Sequence, residues 1–249
     1  MALKNADGQV RYGRNRYDFS SGVITAYAPG QTIEVEEEYQ TGDLSGWFLL
    51  FHEDLLLKHP LKESIQQYGF FSYDIFEALH LSEREQQTVN RIVSEIDRET
   101  QQNQDEFSLD ILLTNIELLL RYINRYFGRQ LLTRKNFHQD SVETFWRLID
   151  DHLDSAAQME SGLPTVNQLA EAMNMSPGYM SDMLRKQTGK SAQEHIQHRL
   201  IDKAKYRLLN TNDTVATIAY SLGFEYPQYF SRMFKKRTTM TPQEFRKRH

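Results

Sequence analysis

The chain has 249 residues, a formal net charge of −5 and no cysteine, which excludes disulfides, thiolate metal sites and a cysteine nucleophile. No apolar run reaches the roughly 18–20 residues of a membrane span, and "MALKNADGQV" lacks the basic and apolar regions of a secretory signal. The length accommodates two domains, and a soluble cytoplasmic protein is the expectation.

The net charge conceals an asymmetry. Residues 1–139 hold 14 Lys+Arg against 21 Asp+Glu, and residues 140–249 hold 15 against 13. From Ser176 onward the balance is 14 against 6. Salt limits electrostatic reach to about 8–10 Å, so local charge governs docking. An acidic domain is therefore followed by a basic one, suited to phosphates.

Residues 9–52 read mainly as strands: "GVITAYAPGQ" and "GWFLLFH" are short, aromatic or β-branched, and bounded by glycine and proline. The acidic "EVEEEYQTGDL" reads as an edge strand or solvated loop. Ser82 and Glu85 have capping-box spacing for a helix over 83–100. After the polar "ETQQNQDEF", a helix over 108–127 carries an apolar stripe of Leu109, Leu112, Leu113, Ile116, Leu119, Leu120 and Ile123. Such a stripe packs in a core or against a second subunit. On the second reading Leu112, Ile116, Leu119 and Ile123 form a homodimer interface. "FGRQLLTRKNFHQD" reads as a linker with a basic centre, and the remainder as helix.

The C-terminal region repeats itself. Val166, Leu169, Ala170, Met173 and Met175 match Val215, Ile218, Ala219, Leu222 and Phe224 at an offset of 49. One inserted residue later, Tyr179, Ser181, Leu184 and Lys186 match Tyr229, Ser231, Phe234 and Lys236 at an offset of 50. Each copy reads as helix, tight turn, helix. Thr165 and Gln168 form a capping box, and the first helix stops near Asn174. Ser176 caps the next helix with Pro177 in its first turn. In the second copy Gly223 ends the first helix and Pro227 opens the second.

Met180, Met183 and Leu184, like Phe230, Met233 and Phe234, are expected in the core. The opposite faces present Gly178, Ser181, Asp182 and Arg185 in one copy and Gln228, Ser231, Arg232 and Lys235 in the other. Small polar groups beside cations suit reading of base edges with a grip on phosphates. Gly178, Ser181, Asp182, Gln228, Ser231 and Arg232 are the candidate base-reading residues, and Arg185, Lys186, Lys235, Lys236 and Arg237 the candidate phosphate contacts. Ser191 and Glu194 open a connecting helix to about Asn210. At ~1.5 Å per residue it spans roughly 30 Å, against about 34–36 Å for one turn of DNA.

The stretch "TVATIAYSLGFEYPQYFSRMFKKRTTMTPQEFR" resembles the AraC/XylS transcription regulators, through "IAYSLGF", then "FSRMFKK", then "TP" with "FR". The resemblance implies two helix-turn-helix units joined by a long helix over 140–249. They would place recognition helices in successive major grooves of double-stranded DNA. Two positions depart from the family: Thr239 stands where glycine is usual, and Asp182 where arginine or a neutral polar group is commoner. "YDFSSGVITAYAPGQ" and "GWFLLFHEDLL" are similar to the end of the cupin-like sensing domains often fused upstream, and "FFSYDIFEALHLSEREQ" to the segment leading into dimerising helices.

The expected architecture is α+β: a partial cupin-like β-sandwich over 1–81, a dimerisation segment over 82–128, a linker over 129–139, and the DNA-binding domain over 140–249. Such a sandwich usually carries more strands before "YDFSSG", so a truncated barrel is expected. The resemblance implies a homodimer, admits RNA polymerase as a partner, and assigns no effector.

Other chemistry finds little support. His195 and His198 stand three residues apart without a third ligand, so no metal site is expected. His52 and His80 read as packing or surface residues. Without a glycine-rich phosphate loop, a nucleophile elbow or an HExxH motif, neither an enzyme nor a cofactor is expected. The competing reading is a helical interaction or scaffold protein that ignores DNA.

Overall fold

The computed structural model describes residues 1–5, 8–12, 15–19, 22–31, 45–74, 77–133, 135–154 and 162–248. The chain divides into two compact units, Met1–Arg134 and Lys135–His249. Among the described residues no helix is long and apolar enough to cross a membrane.

The first unit is α+β. Strands β1 (Ala2–Asn5), β4 (Val23–Thr25), β5 (Ser45–Phe48) and β6 (Leu79–His80) form a small antiparallel sheet in the order β5-β1-β4-β6. Leu3 pairs with Ile24 on one side and Trp47 on the other. Strands β2 (Gly8–Tyr12) and β3 (Asn15–Phe19) make a separate hairpin. The strand β1 in "MALKN" was not anticipated; it has no β-branched residue and owes its conformation to strands on both sides. The expected acidic strand or loop over 34–44 lies outside the described residues. Helix α1 (Leu61–Ser64) is a single turn.

Helix α2 (Glu83–Gln101) begins at the expected capping box, with the Ser82 amide donating to Glu85 at 2.9 Å. Helix α3 (Ser108–Thr133) packs along it. Val89, Ile92 and Ile96 of α2 are buried, as are Leu113, Ile116, Leu119, Leu120 and Ile123 of α3. The expected interface residues Ile116, Leu119 and Ile123 are thus enclosed within the unit, with Leu119 at 0% exposure; Leu112 is half-buried. The core reading of the stripe is the one realised, because α2 supplies an apolar partner face from the same chain.

The boundary between the units falls inside the linker expected over 129–139, but the stretch is helical: α3 continues to Thr133 and α4 (Lys135–Asp154) begins two residues on. The buried face of α3 continues into it through Tyr126, Phe127, Gln130 and Leu131. Phe127 stacks on Phe70 at 5.4 Å and meets the edge of Tyr73 at 5.2 Å. Gln130 is 2% exposed; it accepts from the His80 amide at 2.9 Å and donates to the Ala78 carbonyl at 3.0 Å. Arg129 donates to the His80 carbonyl at 2.8 Å and pairs with Glu85 at 2.9 Å. Two side chains of the supposed linker thus tie the sheet to the helices. Gln130→Ala leaves two buried backbone groups of β6 and its approach without these partners. It is expected to cost about 1–3 kcal/mol of unit stability, measured by urea titration of the full chain followed by circular dichroism.

The second unit is all helix among its described residues: α4, α5 (Val166–Ala172), α6 (Pro177–Thr188), α7 (Ala192–Asn210), α8 (Val215–Ser221), α9 (Pro227–Thr238) and α10 (Pro242–Arg248). Helix α7 touches α4, α6, α8 and α10. Its buried Ala192, Ile196, Leu200, Ile201, Ala204 and Leu208 run its whole length, so one helix supplies core to both halves of the unit. Arg246 of α10 donates to the Leu208 carbonyl at 2.9 Å, closing the C-terminal end of α7.

Candidate nucleic-acid interface

The two copies share their turns bond for bond. After α5, the amides of Asn174 and Met175 donate to the carbonyls of Glu171 (3.0 Å) and Ala170 (2.9 Å). After α8, those of Gly223 and Phe224 donate to Tyr220 (2.9 Å) and Ala219 (3.0 Å). The pivot has positive φ in both, 51° at Asn174 and 82° at Gly223, which asparagine and glycine tolerate best. A side chain at Gly223 would also strike Gly162, its Cβ lying 2.9 Å from that carbonyl carbon. This backbone contact joins the segment before the first helix-turn-helix to the turn of the second.

The repeat extends beyond the stretch read from the sequence. "TGKSAQE" at 188–194 and "TTMTPQE" at 238–244 have the same construction. Thr188 and Thr238 donate back to Leu184 and Phe234 at 2.7 and 2.8 Å. Gly189 and Thr239 follow with φ of 75° and 65°. Ser191–Glu194 and Thr241–Glu244 then cap the next helices, their carboxylates held low in pKa by those bonds. The departure at Thr239 therefore leaves the turn intact. A β-branched side chain in the left-handed region costs about 1–2 kcal/mol there.

Helices α6 and α9 are the second helices of the two units, and their outer faces differ. On α6, Gly178, Ser181 and Asp182 are half-buried, while Arg185 and Lys186 are exposed. The Asp182 carboxylate lies 3.7 Å from Arg185, drawing that cation toward its own helix. On α9, Gln228, Arg232, Lys235, Lys236 and Arg237 are exposed and Ser231 is half-buried. No acidic residue occurs in "PQYFSRMFKKRT". Arg237 also bonds Gln197 of α7, which holds it against the linker helix. The expected core residues Met180, Met183, Leu184, Phe230 and Phe234 are buried, while Met233 is half-buried.

The match of Tyr179 with Tyr229 holds in sequence but not in burial. Tyr179 is 3% exposed, whereas Tyr229 is 54% and Tyr226 46% exposed. Helix α6 is packed by α4, α5 and α7, whereas α9 packs against α8 and α10. The sequence reading matched Tyr229 to Tyr179 without assigning either to a face and did not single out Tyr226, because a repeat does not record which helices cover each copy.

His195 is buried between these elements. The Trp146 indole donates to its Nδ1 at 3.3 Å, and its Nε2 lies 2.7 Å from the Thr188 hydroxyl. It therefore serves as a three-helix joint rather than a metal ligand, with partners on α4 and at the end of α6. Burial, then Lys190 and His198, push its pKa below the ordinary 6.5. A proton on Nδ1 would set two N–H groups against each other. Below pH ~6.5 the unfolded chain takes up a proton that the folded unit refuses, so stability is full above that pH and falls as pH drops through it. Urea midpoints of the second unit are expected to decline from pH 7 to 5, with His195→Gln flattening the decline; an unchanged slope would remove His195 as its source.

Two matching turns, two outward helices and one helix shared as core define a double helix-turn-helix protein of the DNA-binding class. A family model described as a helix-turn-helix domain matches residues 169–248. The arabinose operon regulatory protein of Salmonella typhimurium is 31% identical over 96% of this chain and 80% of its own length. The chain belongs to the AraC/XylS family of DNA-binding transcription regulators. It is also similar to two uncharacterised HTH-type transcriptional regulators. YobQ of Bacillus subtilis is 38% identical over 33% of this chain, and YijO of Escherichia coli 24% over 77%. The chain spans 34% and 64% of the lengths of those two.

Proposed function

We propose that the second unit binds DNA sequence-specifically by inserting α6 and α9 into successive major grooves. The observation that carries this reading is that one continuous helix, α7, packs on α6 in the first copy and on α8, the neighbour of α9, in the second, while the cations of α6 and α9 are exposed. The 19 residues of α7 span about 28 Å at ~1.5 Å each, commensurate with one turn of DNA. The two helices contribute unequally: α9 carries no acid of its own, while α6 carries Asp182, ion-paired with Arg185. Gly178, Ser181, Asp182, Gln228, Ser231 and Arg232 face bases, and Arg185, Lys186, Lys235, Lys236 and Arg237 face phosphates.

Arg232→Ala is expected to cost about 1–3 kcal/mol on the preferred site and relax preference at one or two base pairs. Lys235→Ala is expected to weaken all sequences alike and reduce the salt slope by about one. Gel-shift titrations across a salt series on preferred and scrambled duplexes check both. Equal losses from Arg232→Ala on the two duplexes would reassign it to phosphate.

The first unit serves as a sensing and dimerisation module, related to the end of a cupin-like domain, in a cytoplasmic homodimer. Support for self-association lies on the face of α3 turned away from α2. Ile111, Leu118 and Leu132, spaced in multiples of seven, are exposed there. Leu118→Glu is expected to yield a folded monomer in sedimentation with weakened binding to paired sites, while Leu119→Glu, at an enclosed position, unfolds the unit. A monomeric unsubstituted protein at micromolar concentration would remove the dimer and leave DNA binding standing.

A further inference from the structure

The tyrosines at the start of α9 have no role in the fold that accounts for their placement. Tyr226 and Tyr229 expose 46% and 54% of their surface, although the equivalent Tyr179 in the first copy is enclosed. Their rings meet edge to face with centroids 5.7 Å apart. The Arg232 guanidinium lies over the Tyr229 ring, its carbon 6.0 Å from the centroid. Tyr226, Tyr229 and Arg232 follow at three-residue intervals, which align them on one side of the helix about 4.5 Å apart along its axis. That spacing approaches the ~3.4 Å step between base pairs.

Tyr226 is the residue preceding the first turn of α9, yet it makes no capping bond. A serine in the same place on α6 does so, with the Tyr179 amide donating to Ser176 at 3.2 Å. The Glu225 carboxylate beside it raises the pKa of the Tyr226 hydroxyl, an acidic neighbour that disfavours a phosphate contact there. What the two residues offer a duplex is aromatic surface against a cation. An arginine pairs with the O6 and N7 of guanine, and an apolar side chain beside it meets the 5-methyl group of thymine. The aromatic ring also restricts the guanidinium before binding, lowering the ordering cost of the guanine contact.

We propose that Tyr229, supported by Tyr226, is a specificity-determining residue: it holds Arg232 for a guanine and reads the methyl group of an adjacent thymine. This rests on the DNA-reading conclusion above and adds to it the identity of a base step. In the first copy Asp182 replaces the arginine and Tyr179 is enclosed, so α6 lacks this element and reads a different step.

The experiment selects preferred duplexes from a random-sequence pool with the unsubstituted protein. It then measures affinity for the best duplex with each thymine replaced in turn by deoxyuridine, which lacks the methyl group. The expected result is a loss of several-fold at one thymine next to the guanine whose substitution Arg232→Ala tolerates. Tyr229→Ala is expected to lose roughly tenfold on the preferred duplex, little on scrambled DNA, and to become indifferent to deoxyuridine. Tyr229→Phe, which keeps the ring, is expected to retain both affinity and methyl sensitivity, and Tyr226→Ala to fall between.

Undiminished methyl sensitivity in Tyr229→Ala, or equal losses on preferred and scrambled DNA, would overturn the inference while leaving sequence-specific binding intact. A Tyr229→Phe variant as weak as Tyr229→Ala would assign the residue to a hydroxyl contact and overturn it as well. If the unsubstituted protein selects no sequence, the DNA-reading conclusion falls, and this one with it. The exposed position of Tyr229 makes these variants readable in folded protein, checked by circular dichroism.

Discussion

Helix α7 must be buried along its entire length by groups that come from both ends of the second unit. Ile196 lies in its N-terminal half and Leu208 near its end, with Leu200, Ile201 and Ala204 between them, all enclosed. A solvated linker of the same length would let the two helix-turn-helix units reorient independently. The buried linker instead makes their separation a property of the core, because changing it would expose apolar surface at about 25 cal/mol per Å². The remaining joints reinforce this frame: Arg246 closes the far end of α7, His195 ties its near end to α4 and α6, and Gly162 meets Gly223 within the second unit.

On that frame, duplication supplies geometry and divergence supplies chemistry. The turns agree to within a tenth of an ångström in their paired hydrogen bonds. The outer faces do not agree. Asp182 turns Arg185 back toward α6, whereas α9 presents cations with no acid among them and two uncovered tyrosines. A duplex that satisfied both helices would therefore be asymmetric in the bases it offers each.

The first unit follows a different logic. Its sheet strands are short, and its stability is concentrated where α3 crosses α2 and the β6 edge. Phe127, Gln130 and Arg129 sit within four residues and contact an aromatic cluster, two backbone groups and an ion-pair partner respectively. The apolar content of α3 exceeds what one neighbour needs, and the surplus at Ile111, Leu118 and Leu132 is exposed.

The helix-turn-helix units were legible in the sequence because their signals are local. Capping boxes at Thr165 and Ser191, proline at the start of α6 and α9, and glycine after α8 act within one turn of the residues that carry them. The apolar periodicity then follows from 3.6 residues per turn. Long-range burial was decided by tertiary structure alone. The strand at Ala2–Asn5 exists through its neighbours, Gln130 reads as polar until the sheet edge meets it, and Leu119 reads equally as interface or core until α2 is placed. Tyr179 and Tyr229 make the same point within the repeat. They are identical residues in matching positions, yet only Tyr179 is buried, because accessibility depends on which helices arrive from elsewhere in the chain, and no local pattern records that.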